Sequence, residues 1–460
     1  MYQIDFQKPV TVHFIGIGGI SMSGLAEVLL SKGFKVSGSD SAVSSLTDHL
    51  KAAGVTIYEG QRASNLAHDV DVVIYTAAVH RDNPELLAAE ERGLPLLTRA
   101  ELLGQIMKNY PEAVAIAGTH GKTTTTSMVT EILLAAEMDP TISVGGILHS
   151  IGGNIRIGHS DCFVTEACEY TNSFHSFFPT IEVILNIRAD HLDFFKDLDD
   201  IRESFHTFAK ILPEKGLLVI NADIPDYKAL MGDIACRMVT FSLGDSGADY
   251  CVEHVFYNEE GHASFDVVRQ KRVIAHIELG VPGEHNVANA LAAVAVAEAL
   301  GVEKEAIERG LDGYKGTERR FEVKGELGGI TIVDDYAHHP DEIRATLETA
   351  RKLHRKKLWC VFQPHTYTRT KALMGEFAEA LSLADEVILT KIYPARETDT
   401  LGISSVDLAR KLEALGKKVY YFESFDEIEK FLLSALVPGE LLITMGAGDV
   451  VKLGENLLGL

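Results

Sequence analysis

The chain is poor in the features that mark disulfide-rich, metal-clustered or membrane-spanning proteins. Its 460 residues include only five cysteines and one tryptophan. The odd number of cysteines, without metal-ligand spacing between them, predicts reduced thiols. No window of 18 residues is apolar and free of charge, so we expect no membrane-spanning helix. The first residues lack the basic start and apolar core of a secretory signal, which favours a cytoplasmic location.

Basic residues are scarce relative to acidic ones. Lys and Arg number 43 against 66 Asp and Glu, which gives a formal net charge of −23. A general nucleic-acid binder needs a basic surface for the phosphate backbone, so this balance argues against nucleic acid as a partner. It is compatible with a local cationic pocket for a small phosphorylated ligand.

Short apolar runs alternate with helical patterns along most of the chain, an order typical of βαβ units and parallel sheets. The pattern is interrupted near Met107 and around Tyr314–Thr317. We therefore predict three consecutive α/β domains, with hinges at the two interruptions. The outer two are expected to be Rossmann-like and the central one to resemble a P-loop ATPase. The predicted boundaries are 1–107, 108–317 and 318–460.

A glycine-rich loop, FIGIGGISMSG at 14–24, follows the first predicted strand. It nearly matches the dinucleotide fingerprint G-x-G-x-x-G, with Ser21 in place of the third glycine. Its backbone amides, together with a helix N-terminus near Ser21, can hold any diphosphate. Asp40, about 20 residues further on, stands where an NAD-dependent dehydrogenase places the acid that binds a ribose. The loop alone does not show which nucleotide it binds.

A second glycine-rich loop occurs about a hundred residues later, in AIAGTHGKTTTT at 115–126. The pattern around it is strand, loop and helix. Gly118 and Gly121 allow backbone amides to converge on a phosphate, and the helix N-terminus adds a positive dipole. Lys122 would reach the β and γ phosphates, and Thr123 would offer a hydroxyl to Mg²⁺. This loop predicts a site that binds and cleaves a nucleoside triphosphate.

Acidic residues follow two further predicted strands of the same domain. Glu166 comes directly after one strand and is our preferred carboxylate ligand for Mg²⁺, with Glu169 as its neighbour. Either could instead be a surface acid. Asp190, His191 and Asp193 follow the second strand. Since a lone histidine is often structural, the sequence leaves open whether His191 is a metal ligand or a structural residue.

Nine motifs occur in one order along the chain, and their combination is far more specific than any single one. They are GIGGISMSG (16–24), GTHGKTTTT (118–126), EACEY (166–170), ADHLD (189–193), GEHNVANA (283–290), RRFE (319–322), DDYAHHP (334–340), QPHTYTR (363–369) and IYPAR (392–396). In this combination the whole chain resembles the Mur ligases of peptidoglycan synthesis. It is most similar to the members that join L-alanine to UDP-N-acetylmuramate.

The resemblance implies that the two glycine loops bind two different pyrophosphates. The first domain would hold the UDP-sugar through Gly16, Gly18, Gly19, Ser21, Met22, Ser23, Asp40, His80 and Asn83. The central domain would hold ATP, the co-substrate, mainly through its glycine loop. The implied ATP contacts are Gly118, Thr119, His120, Gly121, Lys122, Thr123, Thr124, His285, Asn286, Asn289, Arg319, Arg320 and Asp335.

The resemblance also implies the reaction. The lactyl carboxylate of UDP-N-acetylmuramate would attack the γ-phosphate of ATP, and the amine of L-alanine would then attack the acyl phosphate. Two Mg²⁺ ions are implied, with Thr123, Glu166 and His191 as ligands. The implied amino-acid contacts are Tyr336, His338, His365 and Arg369. The implied catalytic residues are Lys122, Glu166, His191, His338 and Arg369.

The sequence departs from the family pattern in the third domain. Thr366 stands where the family pattern has an arginine. If that arginine binds substrate or stabilises the acyl phosphate, Arg369 or Arg396 would take over its role. Some members use a carbamylated lysine, but neither Lys196 nor Lys210 aligns with it, and we expect none.

Three other functions are compatible with part of this pattern. One is a recycling ligase that joins a whole tripeptide to the same UDP-sugar. A nucleotide-switched binding protein would leave the third-domain motifs unexplained. A dehydrogenase with an added ATPase would lack a hydride-transfer site. The oligomeric state, monomer or homodimer, is left open.

Overall fold

The computed structural model of the protein describes residues 2–76, 78–192, 194–245, 247–395 and 397–460. Asp193 and Arg396, both considered above, lie outside the described residues. Three β-sheets follow one another along the chain, each covered by helices, which confirms the predicted three-part α/β architecture. The parts built on these sheets are called the N-terminal, central and C-terminal domains. None of the helices described is long and apolar enough to cross a membrane.

The N-terminal domain contains β1 (Thr11–Ile15), α1 (Ile20–Ser31), β2 (Lys35–Asp40), α2 (Ser45–Ala52), β3 (Thr56–Glu59), β4 (Val72–Tyr75), α3 (Pro84–Glu91), β5 (Leu96–Thr98) and α4 (Arg99–Met107). Its five parallel strands have the order β3-β2-β1-β4-β5, which is typical of a Rossmann sheet. The α1 helix begins at Ile20 with Gly19 as its N-cap, within one residue of the helix N-terminus predicted near Ser21.

The central domain contains β6 (Glu112–Ala117), α5 (Lys122–Ala135), β7 (Thr141–Leu148), β8 (Gly153–Arg156), β9 (Cys162–Ala167), β10 (Ile181–Ile184), α6 (Leu198–Ala209), β11 (Leu217–Asn221), α7 (Tyr227–Leu230), β12 (Arg237–Phe241), β13 (Tyr250–Tyr257), β14 (His262–Arg269), β15 (Arg272–Pro282), α8 (Glu284–Ala299) and α9 (Lys304–Gly313). Its sheet has the order β15-β14-β13-β12-β11-β10-β6-β9-β7-β8. The antiparallel strands β13 to β15 extend this sheet beyond the strands that the sequence predicted.

The C-terminal domain contains β16 (Glu322–Leu327), β17 (Ile330–Asp335), α10 (Pro340–Arg351), β18 (Leu358–Phe362), α11 (Tyr367–Ala372), α12 (Met374–Leu381), β19 (Glu386–Leu389), α13 (Ser405–Ala414), β20 (Lys418–Tyr421), α14 (Phe425–Ala435), β21 (Leu441–Met445) and α15 (Val451–Leu458). Its sheet has the order β16-β17-β21-β18-β19-β20, parallel except for the edge strand β16. The predicted boundaries at 107/108 and 317/318 fall between sheets, but their exact positions stay predictions.

The N-terminal and central domains share one continuous hydrophobic core. A single cluster of buried side chains runs from Val12 and Phe14 through Met107 to Phe163 and Phe205. The C-terminal domain has its own clusters on the two faces of its sheet. The shared core therefore fixes the first glycine loop relative to the second.

Two glycines permit the close packing between the N-terminal and central domains. A Cβ on Gly24 in α1 would overlap the side chain of Ile155 in β8. A Cβ on Gly104 in α4 would overlap the backbone carbonyl of Ser176. Because a backbone carbonyl cannot move aside as a flexible side chain can, Gly104 is the stricter requirement.

Replacing Gly104 by alanine should destabilise the protein through this contact. We expect a loss of about 1–3 kcal/mol, typical of overpacking a well-packed interior, measured as a lower Tm. Gly375→Ala is the matched control, since Gly375 also lies in a helix but a Cβ there meets nothing within 4 Å. An equal Tm for Gly104→Ala and wild type would show that the two domains are not packed as described.

Candidate active site

Loops at the carboxyl ends of the central and C-terminal sheets face one another. The central domain contributes the loops after β6, β9 and β10, and the C-terminal domain contributes those after β17 and β18. Open α/β sheets bind ligands at this edge. Most of the candidate residues for ATP, metal and amino acid lie in these loops or in the strand and helix ends next to them.

Lys122 is fixed at the start of α5 by three acceptors. Its ammonium donates to the carbonyls of Gly118 and Thr119, at 2.5 and 3.1 Å, and to the Glu169 carboxylate at 2.9 Å. Burial disfavours the charged form, but the Glu169 carboxylate outweighs it and raises the pKa of Lys122 above its ordinary value. Gly121 adopts a left-handed φ of 87° as the N-cap, a conformation that favours glycine.

Glu169 also faces His191, which follows β10. Its side chain is 3% exposed, and its Oε1 atom has no hydrogen-bond partner among the described residues. His191 Nε2 lies 4.0 Å from that oxygen. A buried oxygen beside an imidazole and an ammonium is an environment suited to a cation or a phosphate contact.

Glu166 and Thr123 both approach a pair of glycines in β7. Gly145 N donates to Glu166 Oε1 at 2.5 Å, and a Cβ on Gly145 would lie 2.7 Å from Glu166 Oε2. A Cβ on Gly146 would lie 3.2 Å from the Thr123 methyl group. Glu166 lies inside β9 rather than just after the strand, as the sequence indicated, because β9 continues to Ala167.

A cavity of about 490 Å³ lies beside the second glycine loop. The ATP candidates that line it are His120, Gly121, Thr124, His285, Asn286, Asn289, Arg320 and Asp335. Burial, followed by the charge of Arg320, lowers the pKa of His285 to about 4, so its imidazole is neutral at pH 7. Burial raises the pKa of Asp335 to about 6, and the carboxylate accepts the amides of Phe321 and Ala337.

The structure separates the two adjacent arginines. Arg320 lines the cavity, whereas the Arg319 guanidinium donates to Asp334 at 2.9 Å and to the carbonyls of Gly446 and Gly448. Arg319 thus stabilises loops of the C-terminal domain, and its side chain is not part of the lining of this cavity.

Two asparagines of α8 and one threonine of the loop are held by internal hydrogen bonds. Asn286 donates to the carbonyl of Pro282, and Asn289 donates to Asn286 Oδ1. Thr119 Oγ1 accepts the amide of Arg188 at 2.9 Å. These bonds fix the walls of the cavity.

A second cavity, of about 610 Å³, lies between the central and C-terminal domains. Arg369, His365, Asp190 and His191 line it, together with Thr366. The Arg369 guanidinium lies 3.4 Å from the Asp190 carboxylate. Burial alone would raise the pKa of Asp190, but the charges of His191 and Arg369 lower it to about 2.

His338 and Tyr336 lie behind this cavity and are not part of its lining. His338 Nδ1 is 3.0 Å from the Tyr336 carbonyl and can only donate there, which leaves Nε2 as an acceptor. Burial lowers the pKa of His338 to about 4, and burial likewise lowers that of His365 to about 4. Their rings lie 5.8 Å apart.

The first glycine loop is held by its own domain. Gly18 N donates to Asp40 Oδ2 at 2.8 Å, and Gly16 N donates to the Ser39 carbonyl at 2.8 Å. Asp40 therefore fixes the loop's conformation. Ser21 Oγ accepts from Arg99 at 3.2 Å, which places a cation beside the loop.

Other candidates of this domain have structural contacts. Met22 is buried in the shared core, and Ser23 Oγ donates to the carbonyl of Ile20 within α1. Asn83 is the N-cap of α3, where its side chain accepts the amides of Glu85 and Leu86. His80 is exposed, and Gly19 is the N-cap of α1.

Several site residues were not predicted. Glu342, buried in α10, lies 3.4 Å from His338 Nδ1 and 3.3 Å from His120 Nδ1. Asn186 binds the backbone of His120 on both sides, at 2.9 Å each. The one available signal was position: Asn186 follows β10, and Glu342 is the third residue of α10. Neither position distinguishes a site residue from an ordinary helix cap.

Comparison with known proteins identifies the family along the whole chain. Models of the Mur ligase family catalytic domain, the Mur ligase middle domain and the Mur ligase glutamate ligase domain match residues 11–111, 116–297 and 319–448. A UDP-N-acetylmuramate–L-alanine ligase of Lachnospira eligens is 59% identical over 458 residues, covering 100% of both chains.

Solved structures agree with this assignment. The UDP-N-acetylmuramate-alanine ligase of Thermotoga maritima has a TM-score of 0.80 at 32% identity, covering 98% of each chain. A murein peptide ligase of Psychrobacter arcticus has a TM-score of 0.71 at 25% identity, again over 98% of each chain. The resemblance carried by the nine motifs is confirmed: the chain belongs to the Mur ligase family.

Proposed function

We propose that this protein joins L-alanine to the lactyl carboxylate of UDP-N-acetylmuramate, using ATP and an acyl-phosphate intermediate. One observation carries the proposal: the nucleotide cavity and the interdomain cavity share the segment after β10 as a wall. Arg188 lines the first, and Asp190 and His191 line the second. A phosphoryl group leaving the glycine loop would thus pass directly to a carboxylate held beside the acceptor site. The full-length identity to the alanine ligase of Lachnospira eligens supports the choice of substrates.

The first step brings a carboxylate towards the γ-phosphate of ATP. Two anions repel each other, so this step depends on positive charge and on positioning. Lys122 supplies a buried ammonium at the start of α5, and Arg320 supplies a guanidinium in the wall of the cavity. In this proposal His285 and Asp335 lie on the adenosine side.

The carboxylates at the end of β9 support the proposal of a magnesium site. Glu169 Oε1 has no hydrogen-bond partner among the described residues and lies 4.0 Å from His191 Nε2, and carboxylate oxygens are the hard donors that Mg²⁺ prefers. Thr123, Glu166 and His191 would hold up to two ions, with Glu169 as an added candidate. When bound, Mg²⁺ would offset the negative charge that develops on the phosphate oxygens.

Arg369 is the proposed anchor for the alanine carboxylate. A guanidinium can form two parallel hydrogen bonds to a carboxylate, which fixes its position and orientation. Its present partner, Asp190, lies at 3.4 Å and is kept anionic by its neighbours. Asp190 can then bind the ammonium group of the same amino acid, on the opposite side from its carboxylate.

His338 or His365 is the proposed proton acceptor for the amine. The ammonium of alanine must lose one proton before its nitrogen can attack the acyl phosphate, and the tetrahedral adduct formed by the attack must lose a second proton as phosphate leaves. Both imidazoles are neutral at pH 7 because burial lowers their pKa values. His365 lines the interdomain cavity, whereas His338 lies behind it and keeps its Nε2 as an acceptor because its Nδ1–H donates to the Tyr336 carbonyl.

The first glycine loop is the proposed site of the UDP diphosphate. Its helix N-terminus attracts an anion, and Arg99, at 3.2 Å from Ser21, adds a positive charge. The proposed contacts are those named from the sequence, with Arg99 added. Met22 and Asp40 would act through the fold of the loop, since one is buried and the other binds Gly18. A cytoplasmic location would suit these substrates.

The direct test is phosphate release from ATP with Mg²⁺ and UDP-N-acetylmuramate, adding L-alanine or the recycled tripeptide in turn. We expect turnover that requires both the UDP-sugar and L-alanine. Turnover with the tripeptide alone would move the protein to the recycling reaction. Turnover independent of the UDP-sugar would overturn the proposal.

Lys122→Met should remove most of the activity. Loss of the ammonium beside the transferred phosphoryl group should lower kcat by at least about 10²–10³-fold, the effect of losing one electrostatic contact in a transition state. Lys196→Met is the matched control, an exposed lysine of the same domain. Steady-state phosphate release measures both variants, and a similar kcat in the two would contradict the assigned role.

Arg369→Lys should act mainly on the amino acid. Lysine keeps the charge but loses the bidentate geometry of the guanidinium. The KM for L-alanine should therefore rise about 10-fold or more, because losing one charge-assisted hydrogen bond costs ~1.5 kcal/mol. The KM for ATP should change little. Lys371→Ala, an exposed change in the same helix α11, should leave both values unaltered. An unchanged KM for L-alanine in Arg369→Lys would remove Arg369 from the acceptor site.

The buried histidines should make stability depend on pH. The pKa of His338 is about 4 in the folded protein and 6.5 ordinarily, so the unfolded chain holds more protons between these values. Its contribution to stability is therefore complete above pH 6.5 and declines as the pH falls towards 4. Urea unfolding across this window should show a shallower pH dependence for His338→Gln than for wild type. The exposed His68→Gln variant should follow the wild type, and a slope unchanged by His338→Gln would refute the assignment.

A further inference from the structure

The two domains that form the active site also bring together a set of side chains suited to a softer metal than magnesium. His120 comes from the second glycine loop, and His339 and Asp341 come from the start of α10. One ligand atom from each lies within 4.8 Å of those of the other two. Among the described residues this is the one such group of three or more His, Cys, Asp or Glu side chains.

His120 is available as a ligand. Its side chain is 18% exposed, and neither ring nitrogen makes an aligned hydrogen bond to the residues that the structure describes. Nδ1 faces Glu342 Oε1 at 3.3 Å, and Nε2 faces Asp341 Oδ2 at 4.0 Å. Asn186 holds the backbone of His120 from both sides, so the ring has a fixed starting position.

His339 is already oriented as metal-binding histidines usually are. Its Nε2 lies 3.1 Å from the Ala189 carbonyl, which accepts the Nε2–H and leaves the Nδ1 lone pair free to bind. Metal-ligating histidines commonly donate their other N–H to a backbone carbonyl in this way. The Nδ1 atom now accepts the Asp341 amide only at a long 3.3 Å. The rings of His120 and His339 lie 5.0 Å apart.

We propose that His120, His339 and Asp341 bind one transition-metal dication of the Zn²⁺ class, linking the central domain to the C-terminal domain. Two imidazoles and a carboxylate match the ligand preference of zinc, whereas magnesium prefers oxygen alone. Bonds of ~2.0–2.1 Å place tetrahedral ligand atoms ~3.3 Å apart, so the three side chains close in by only ~1.5 Å. Asp341 is half exposed, which leaves a route for the ion and a position for water.

This site is separate from the proposed magnesium site. Two of the magnesium candidates, Thr123 and Glu166, lie against β7, and the third, His191, faces Glu169, whereas His120 points to α10. Because its ligands come from two domains, a bound ion resists their separation. The proposal does not depend on the identity of the amino-acid substrate.

The test is titration of the full-length, nucleotide-free protein with Zn²⁺ by calorimetry, in buffer that contains millimolar Mg²⁺ to saturate oxygen sites. We expect one Zn²⁺ per chain. His120→Ala and His339→Asn should each weaken binding by more than about 100-fold, since even outer partners of a metal ligand change affinity 10–100-fold. His339→Asn keeps a good helix N-cap, so α10 should remain intact. Equal Tm values would verify this.

A second pair of histidines provides the matched control. His254 and His276 both bind Asp266 on the surface of the central domain, at 2.8 and 2.7 Å. The double variant His254→Ala, His276→Ala should bind Zn²⁺ as wild type does. X-ray absorption at the zinc edge should show two imidazole ligands in wild type and one in His339→Asn.

Three results would overturn the proposal. One is the absence of stoichiometric Zn²⁺ binding by the wild type in excess Mg²⁺. Another is wild-type affinity in both His120→Ala and His339→Asn. The last is a loss of binding confined to the His254, His276 double variant, which would place the ion at these two surface histidines instead.

Discussion

The active site depends on one buried ion pair, between Lys122 and Glu169. A lysine taken out of water costs several kcal/mol unless it is paired and its donors are satisfied. Here a carboxylate and two loop carbonyls accept from the ammonium. The pair joins the loop after β6 to the end of β9, and the other oxygen of Glu169 faces His191 after β10. Three neighbouring strand ends are thereby held around one charge.

The C-terminal domain meets this arrangement through polar contacts. Arg369 faces Asp190, His339 donates to the carbonyl of Ala189, and Glu342 faces His120. Each contact joins a loop of the central sheet to a loop or helix start of the C-terminal sheet. These polar groups remain well solvated when they part, so the interface can open at a modest energetic cost.

Features of the fold and the site could be predicted from the sequence where neighbouring residues encode them, and not where they depend on contacts between distant segments. The second glycine loop is written in consecutive residues, so Gly118, Gly121 and Lys122 could be placed from sequence with the right elements around them. The three sheets followed from the alternation of apolar runs. The antiparallel strands β13 to β15 were missed because they are partly exposed and carry polar side chains that blur the pattern.

Contacts between distant segments were beyond sequence reasoning. Nothing local distinguishes Arg319 from Arg320, yet one stabilises loops of its own domain and the other lines the cavity beside the second glycine loop. Asp40 was compared with a ribose-binding acid, but its carboxylate accepts the amide of Gly18. Glu342 contacts His120 across more than 200 residues, and no short motif encodes such a pair.

The hydrophobic core shared by the N-terminal and central domains has a mechanical consequence. A rotation at Met107 would expose apolar side chains on both sides of the joint, including the edge-to-face rings of Phe6 and Tyr110. A rotation at Tyr314–Thr317 separates mainly the polar contacts, since the apolar clusters of the C-terminal domain include only residues from Phe321 onwards. We therefore expect the N-terminal and central domains to move as one rigid unit with both glycine loops, and the C-terminal domain, with the proposed amino-acid site, to rotate against it.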